Sequence, residues 1–136
     1  AKIFATDVSV LVNHLNYGNH LGYDSVLSIL QDVRIRWLKS LNKDFTEINI
    51  GNNIGWLIRE AHVTYESEAH YDDILHIDMY ITNNKKSSFE LEYIVVNRST
   101  TKTLCQATTL QICYDFSKSK VTRIPECLLT CVFENV

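Results

Sequence analysis

Residues 16–41 read NYGNHLGYDSVLSILQDVRIRWLKSL. From Val26 onward, Val26, Leu27, Leu30, Val33, Trp37, Leu38 and Leu41 recur at three- and four-residue steps, the stripe of a helix that buries one broad side. No other stretch carries a helix signal of that length. The approach to the stripe holds Gly18, Gly22, Asn16, Asn19, His20, Tyr17 and Tyr23. A helix entrance presents backbone N–H groups without partners and a partial positive charge. A polarised carbonyl oxygen or a carboxylate fits such a place, so chemistry is sought here first.

The rest of the chain reads as strands around that helix. Lys2 to Val12 is short and rich in Ile, Phe and Val, and Asn13-His14 turns it into a loop. Asn42-Lys43-Asp44 breaks the helical stripe, and Gly51-Asn52-Asn53-Ile54-Gly55 is a turn-rich link. That glycine pair is too short for a phosphate loop and lacks the following Lys-Ser/Thr. Leu75, Ile77, Met79 and Ile81 alternate with His76, Asp78 and Tyr80; after Asn83-Asn84-Lys85-Lys86, Phe89, Leu91, Tyr93 and Val95 alternate with Ser88, Glu90, Glu92 and Ile94. This predicts a hairpin with one buried face. Trp56 to Glu66 and Thr103 to Phe116 alternate less tidily, which predicts central strands partly covered on both sides. Short turns make the neighbours antiparallel. Pro125 ends the sheet, with Leu128, Leu129, Val132 and Phe133 expected in a short helix or coil on the surface. Neither an internal repeat nor a linker is visible, so residues 1–136 read as a single α+β domain.

Composition narrows the function classes. Apolar residues make up 46%, with one Pro and four Gly, which excludes disordered and fibrous classes. Thirteen basic against sixteen acidic residues give a net charge of −3, and the basic ones form no stripe, so no nucleic-acid partner is expected. No apolar run approaches the ~20 residues that cross a bilayer, and Ala1-Lys2-Ile3-Phe4 does not open a signal peptide. The reading is cytoplasmic, with no membrane partner. Cys105, Cys113, Cys127 and Cys131 form neither a zinc knuckle nor a disulfide framework and read as buried free thiols. Asn97-Arg98-Ser99 matches a glycosylation acceptor that has no meaning in the cytosol. His62, His70 and His76 lack metal-ligand spacing to a carboxylate, and no metal is expected.

The order Gly18-Asn19-His20-Leu21-Gly22, a helix carrying Val33-Arg34, then Val63-Thr64-Tyr65 and Tyr71-Asp72-Asp73-Ile74-Leu75-His76-Ile77 resembles the hot-dog-fold acyl-CoA thioesterases of the 4-hydroxybenzoyl-CoA thioesterase type. The resemblance spans nearly the whole chain. It implies an antiparallel sheet wrapped around one long central helix, and hydrolysis of a fatty or aromatic acyl-CoA to free acid and CoA. An acyl-carrier-protein thioester is the related substrate. No separate cofactor is implied, since coenzyme A is part of the substrate. It further implies a homodimer or homotetramer with active sites at the subunit interface.

Counting back from Arg34, His20 falls on the family's loop histidine, and Gly22 and Tyr23 fall on its Asn-Asn pair. Asn16 falls where many members carry the catalytic aspartate. Asn16 cannot ionise, although its amide can hold a water or the thioester. The nearest acid is Asp24, just inside the helix, where the dipole favours the ionised carboxylate that activates water or attacks a thioester. Asp24 is therefore the candidate catalytic carboxylate, with His20 and Asn16 orienting the water or thioester. Backbone N–H groups of Gly22 and Tyr23 would polarise the thioester oxygen. Each has a plainer reading: Asp24 as a dipole partner, His20 as a structural histidine, Gly22 as a tight turn, Tyr17 and Tyr23 as packing rather than acyl-pocket residues.

Lys85, Lys86 and Arg59, with Lys118, Lys120 and Arg123, are candidates for the coenzyme A phosphates, against solvated surface charge. Asp73 is expected to close the turn before a strand. The alternative function is a non-catalytic acyl-CoA or acyl-carrier-protein binding module, favoured by Asn16. A hydratase is disfavoured, because Asp and His do not stand at the spacing such enzymes use.

Overall fold

The computed structural model describes residues 2–132. Strand β1 (Lys2–Ser9) leads through a single 3₁₀ turn (Val12–His14) to helix α1 (Tyr23–Leu41). Strands β2 (Ile54–Tyr65), β3 (Ile74–Thr82), β4 (Ser88–Asn97) and β5 (Lys102–Asp115) follow, then the two-residue β6 (Lys120–Val121) and the short helix α2 (Glu126–Cys131). The strands form one antiparallel sheet in the order β1-β3-β4-β5-β2, with β6 paired to the end of β5. This is the sheet-around-helix arrangement that the resemblance implies.

The helix and the sheet meet through the residues whose periodicity predicts it. Leu75, Ile77, Met79 and Ile81 of β3 and Phe89, Leu91, Tyr93 and Val95 of β4 are all buried, and so are Val26, Leu30, Val33, Trp37 and Leu38 of α1. Trp37 stacks on Trp56, which meets Phe89 edge-on. Two members of the expected helical stripe differ: Leu27 is 44% exposed and Leu41 is half-buried, while Ile29, outside the expected stripe, is buried. The stripe is centred on Val26, Leu30, Val33 and Trp37, and Leu27 lies at its margin beside the edge strand.

Three further expectations are corrected. First, β5 is central, but β2 is an edge strand, its residues from Leu57 to His62 all exposed. Its uneven alternation comes from a bulge between Ile58 and Glu60, not from cover on both faces. Second, the tail does form a short helix, α2, but not on the surface: Leu128 is fully buried and Val132 nearly so, while Phe133 lies outside the described residues. Third, only Cys105 and Cys113 are buried thiols; Cys127 is half-buried and Cys131 exposed. Burial pushes the Cys105 and Cys113 thiols up to about 12, which keeps them protonated and inert.

Where β2 begins, the chain passes close to itself. A Cβ on Gly55 would lie 2.1 Å from the carbonyl oxygen of Glu47, so only glycine fits there. The contact lets the Trp56 N–H donate to that same oxygen at 2.9 Å.

Candidate functional site

The segment ahead of α1 folds back on itself before the helix starts. Leu15 and Leu21 pair as an isolated bridge, the Asn16 N–H donates to the His20 carbonyl at 3.0 Å, and Asn19 turns the chain with φ 61°. The Leu21 N–H donates to the Ala69 carbonyl at 2.7 Å, and His20 bridges to His70. The loop is thereby fixed to the segment leading into β3. Gly22 caps α1.

This brings Asn16 and Asp24 together. A Cβ on Gly22 would sit 2.7 Å from Asp24 Oδ1 and 3.6 Å from Asn16 Cβ, so the carboxylate folds back over the capping glycine toward Asn16. Leu15, Asn16, Tyr17 and Asp24 line an open cleft of about 430 Å³ at the helix tip. Asn16 Oδ1 accepts the Gly18 N–H at 2.9 Å, which fixes the amide with its oxygen bound and its NH2 as the remaining donor. An aspartate at position 16 would offer only acceptors. Asp24 itself is exposed.

The remaining candidates divide. His20 sits against Gly18, its Nε2 2.8 Å from where a Cβ would be, and 3.9 Å from Glu68 Oε1. It flanks the cleft rather than lining it. Tyr17 is fully exposed at the rim; Tyr23 stacks on Tyr65 with centroids 4.0 Å apart, and the Tyr65 hydroxyl donates to the Tyr23 carbonyl. The Gly22 N–H is already committed to the His14 carbonyl at 3.0 Å. Gly22 therefore cannot polarise a thioester oxygen with its amide. Its contribution is the absence of a side chain, which leaves room for the Asp24 carboxylate. Tyr23 opens the helix, and no helix carbonyl precedes it to take up its N–H.

The basic candidates lie elsewhere. Lys85 and Lys86 stand with Arg123 around a cavity of about 760 Å³ floored by Ile50, Ile54 and Ile124, at the Thr82–Ser88 end of the sheet. Asp24 is at the opposite end, beside Tyr65. A 19-residue helix separates the two ends by roughly 28 Å. Arg59 is midway along the β2 edge. Among the described residues, no group of His, Cys, Asp or Glu is placed to hold a metal ion, and no helix is long and apolar enough to cross a membrane.

Asp73 closes the turn before β3 as expected: its Oδ2 accepts the His70 N–H and the Asn97 side-chain amide, both at 2.9 Å. Desolvation opposes ionisation, but these hydrogen bonds outweigh it and hold the carboxyl below its usual range. A depressed folded-state pKa gives stabilisation that is complete above the unfolded value near ~4 and is lost as pH falls through the folded value. Below about pH 4, the thermal midpoint of wild type should therefore fall more steeply than that of Asp73→Asn.

The buried polar cluster behind α1 was not legible as a site. Arg34 donates to Glu47 at 2.8 Å and to the Tyr93 hydroxyl at 3.2 Å, and the Trp56 indole N–H also donates to Glu47. Tyr93 lies 2.7 Å from the Thr109 hydroxyl, and Thr109 meets the Gln111 amide. Burial disfavours charge on Arg34, but Tyr93 and Glu47 outweigh it and push its pKa up, so the guanidinium stays charged. The only sequence signal is an Arg on the apolar side of a helix.

A family model described as the thioesterase-like superfamily matches residues 10–130. No curated protein sequence matches the chain. Among solved structures, a 1,4-dihydroxy-2-naphthoyl-CoA thioesterase from Synechocystis superposes with TM-score 0.85 at 18% identity, covering 96% of each chain. A Staphylococcus aureus protein solved in complex with CoA gives 0.84 at 16% identity, over 98% of this chain and 83% of that one. A 12:0-ACP thioesterase from Umbellularia californica gives 0.79 at 15% identity, over 96% of this chain and 49% of that one. At these identities the likeness establishes the hot-dog fold.

Proposed function

The chain belongs to the thioesterase-like superfamily, and from that premise we propose that it hydrolyses an acyl-CoA thioester with Asp24 as the general base. The observation that carries this reading is the shared cleft of Asp24 and Asn16 at the tip of α1. The Asp24 carboxylate takes a proton from water while the water oxygen attacks the thioester carbonyl carbon. The Asn16 NH2 and the Tyr23 N–H donate to the carbonyl oxygen as negative charge gathers on it. The C–S bond then breaks, the thiolate takes up the proton, and a free acid and coenzyme A leave. His20, beside Gly18, braces the loop that holds Asn16.

In this reading coenzyme A is bound across two copies of the chain. The exposed β2 edge is a ready template for pairing, and Leu57 and Ile58 on it are 45% and 40% exposed. Antiparallel pairing of two such edges brings the Ile54 end of one copy beside the Tyr65 end of the other. The cavity of Lys85, Lys86 and Arg123 then faces the helix tip of the second copy, where its charges suit the coenzyme A phosphates. Arg59 lies on the same edge between the two regions. A homodimer is the smallest assembly that completes such a site. Wild type should elute as a dimer, and Ile58→Lys, which sets two like charges at the contact, should shift it to monomer in size-exclusion chromatography with light scattering.

The second reading is a non-catalytic binding module for acyl-CoA or an acyl-carrier-protein thioester, favoured by the non-ionisable Asn16. A chain-length panel of acyl-CoAs separates the two. Release of free thiol supports hydrolysis, whereas saturable binding without release assigns the module.

A further inference from the structure

Asp24, Leu27, Ser28 and Gln31 are spaced i, i+3, i+4 and i+7, so they form one stripe along α1. Past Asp24, that stripe borders a second cleft, of about 270 Å³, between α1 and the β2 edge. Its mouth is apolar, with Leu27 and Ile58 44% and 40% exposed. Its floor is polar: Arg34 and Thr109, 5% and 2% exposed, belong to the buried cluster with Glu47 and Tyr93. Gln31 contributes an amide from the exposed face of the helix.

An apolar mouth over a polar floor sets what can enter. A chain ending in methyl would take water from the exposed Gln31 amide, abut the polar floor of Arg34 and Thr109, and return no hydrogen bond. A chain ending in oxygen restores the hydrogen bond to Gln31. Glu47 already balances the charge of Arg34, so the fitting group is neutral. Gln31 stands two helical turns beyond Asp24, about 11 Å, a span that fits an extended aliphatic chain better than one aromatic ring.

We infer that this cleft takes the distal end of the acyl group and selects medium-length aliphatic acyl chains that end in a neutral oxygen function, such as ω-hydroxyacyl-CoA, with Gln31 as a specificity-determining residue. The inference rests on the reading that Asp24 acts on the thioester carbonyl.

The test compares octanoyl-CoA with 8-hydroxyoctanoyl-CoA. Wild type should show kcat/KM about 10-fold higher for the hydroxylated member, the scale of one satisfied hydrogen bond. Gln31→Leu, a change on the exposed helix face that does not threaten the fold, should bring the ratio close to one. A wild-type ratio of one or below, or a ratio unchanged in Gln31→Leu, overturns the inference while leaving hydrolysis in place. If thiol is not released but both compounds bind, the ratio of affinities by calorimetry is read against the same criteria. If neither compound is hydrolysed or bound while another acyl-CoA of the panel is, this inference alone fails; if no acyl-CoA of the panel is hydrolysed or bound, the thioester reading fails with it.

Discussion

Asp24→Asn should lower kcat for acyl-CoA hydrolysis by at least about 100-fold while leaving acyl-CoA affinity within a few-fold of wild type, since a lost acid–base group costs on that scale. The substitution keeps the shape and an acceptor oxygen and removes the negative charge, and with it the capacity to take a proton. Its effect on the fold is small. Asp24 is exposed and in the first turn of α1, so the lost interaction with the helix dipole is worth about 0.3–1 kcal/mol. Rate and stability therefore separate: thiol release in a stopped assay reads the first, and thermal melting the second. If Asp24 served only as a dipole partner, the melting temperature would drop slightly and kcat would stay where it was. That outcome would sink the catalytic assignment, because among the described residues no other carboxylate lines the tip cleft.

How far these features were readable from sequence depends on how local the physics is. The β3–β4 hairpin was legible residue by residue, because alternation over Leu75–Ile81 and Phe89–Val95 is imposed by the pleat itself. The place of β2 in the sheet was not, because edge position depends on which strand pairs with which, and a bulge at Ile58/Glu60 imitates the broken alternation of a covered strand. Asn16 and Asp24 were singled out through the family resemblance, and that they line one cleft depends on the fold-back of the loop between them. The commitment of the Gly22 N–H to His14 was not legible, because the 3₁₀ turn that presents His14 leaves no periodic trace. Lys85 and Lys86 were read as charges near a site. Their position at the opposite end of the sheet is a consequence of strand direction that only the complete topology fixes.

Glu47→Ala should destabilise the protein by about 3–5 kcal/mol, the usual result of removing one partner of a buried ion pair. Glu47 and Arg34 side chains are 14% and 6% exposed, and Glu47 also accepts the Trp56 indole N–H. Truncation leaves in the core a charged guanidinium without its countercharge, though still donating to Tyr93, and an indole donor without its acceptor, and adds a void beside the Trp37–Trp56 stack. The cause is the orphaned charge rather than the loss of an attractive pair, and the double variant distinguishes them. Arg34→Met combined with Glu47→Leu removes both charges and fills similar volume, so it should recover most of the lost stability in urea unfolding. If the double variant were as unstable as the sum of the singles, the coupling between the two side chains would be zero and the orphaned-charge explanation would fail. Arg34 also floors the cleft beside Gln31, so the recovered double variant should melt near wild type yet lose much of its preference for an oxygen-terminated acyl chain.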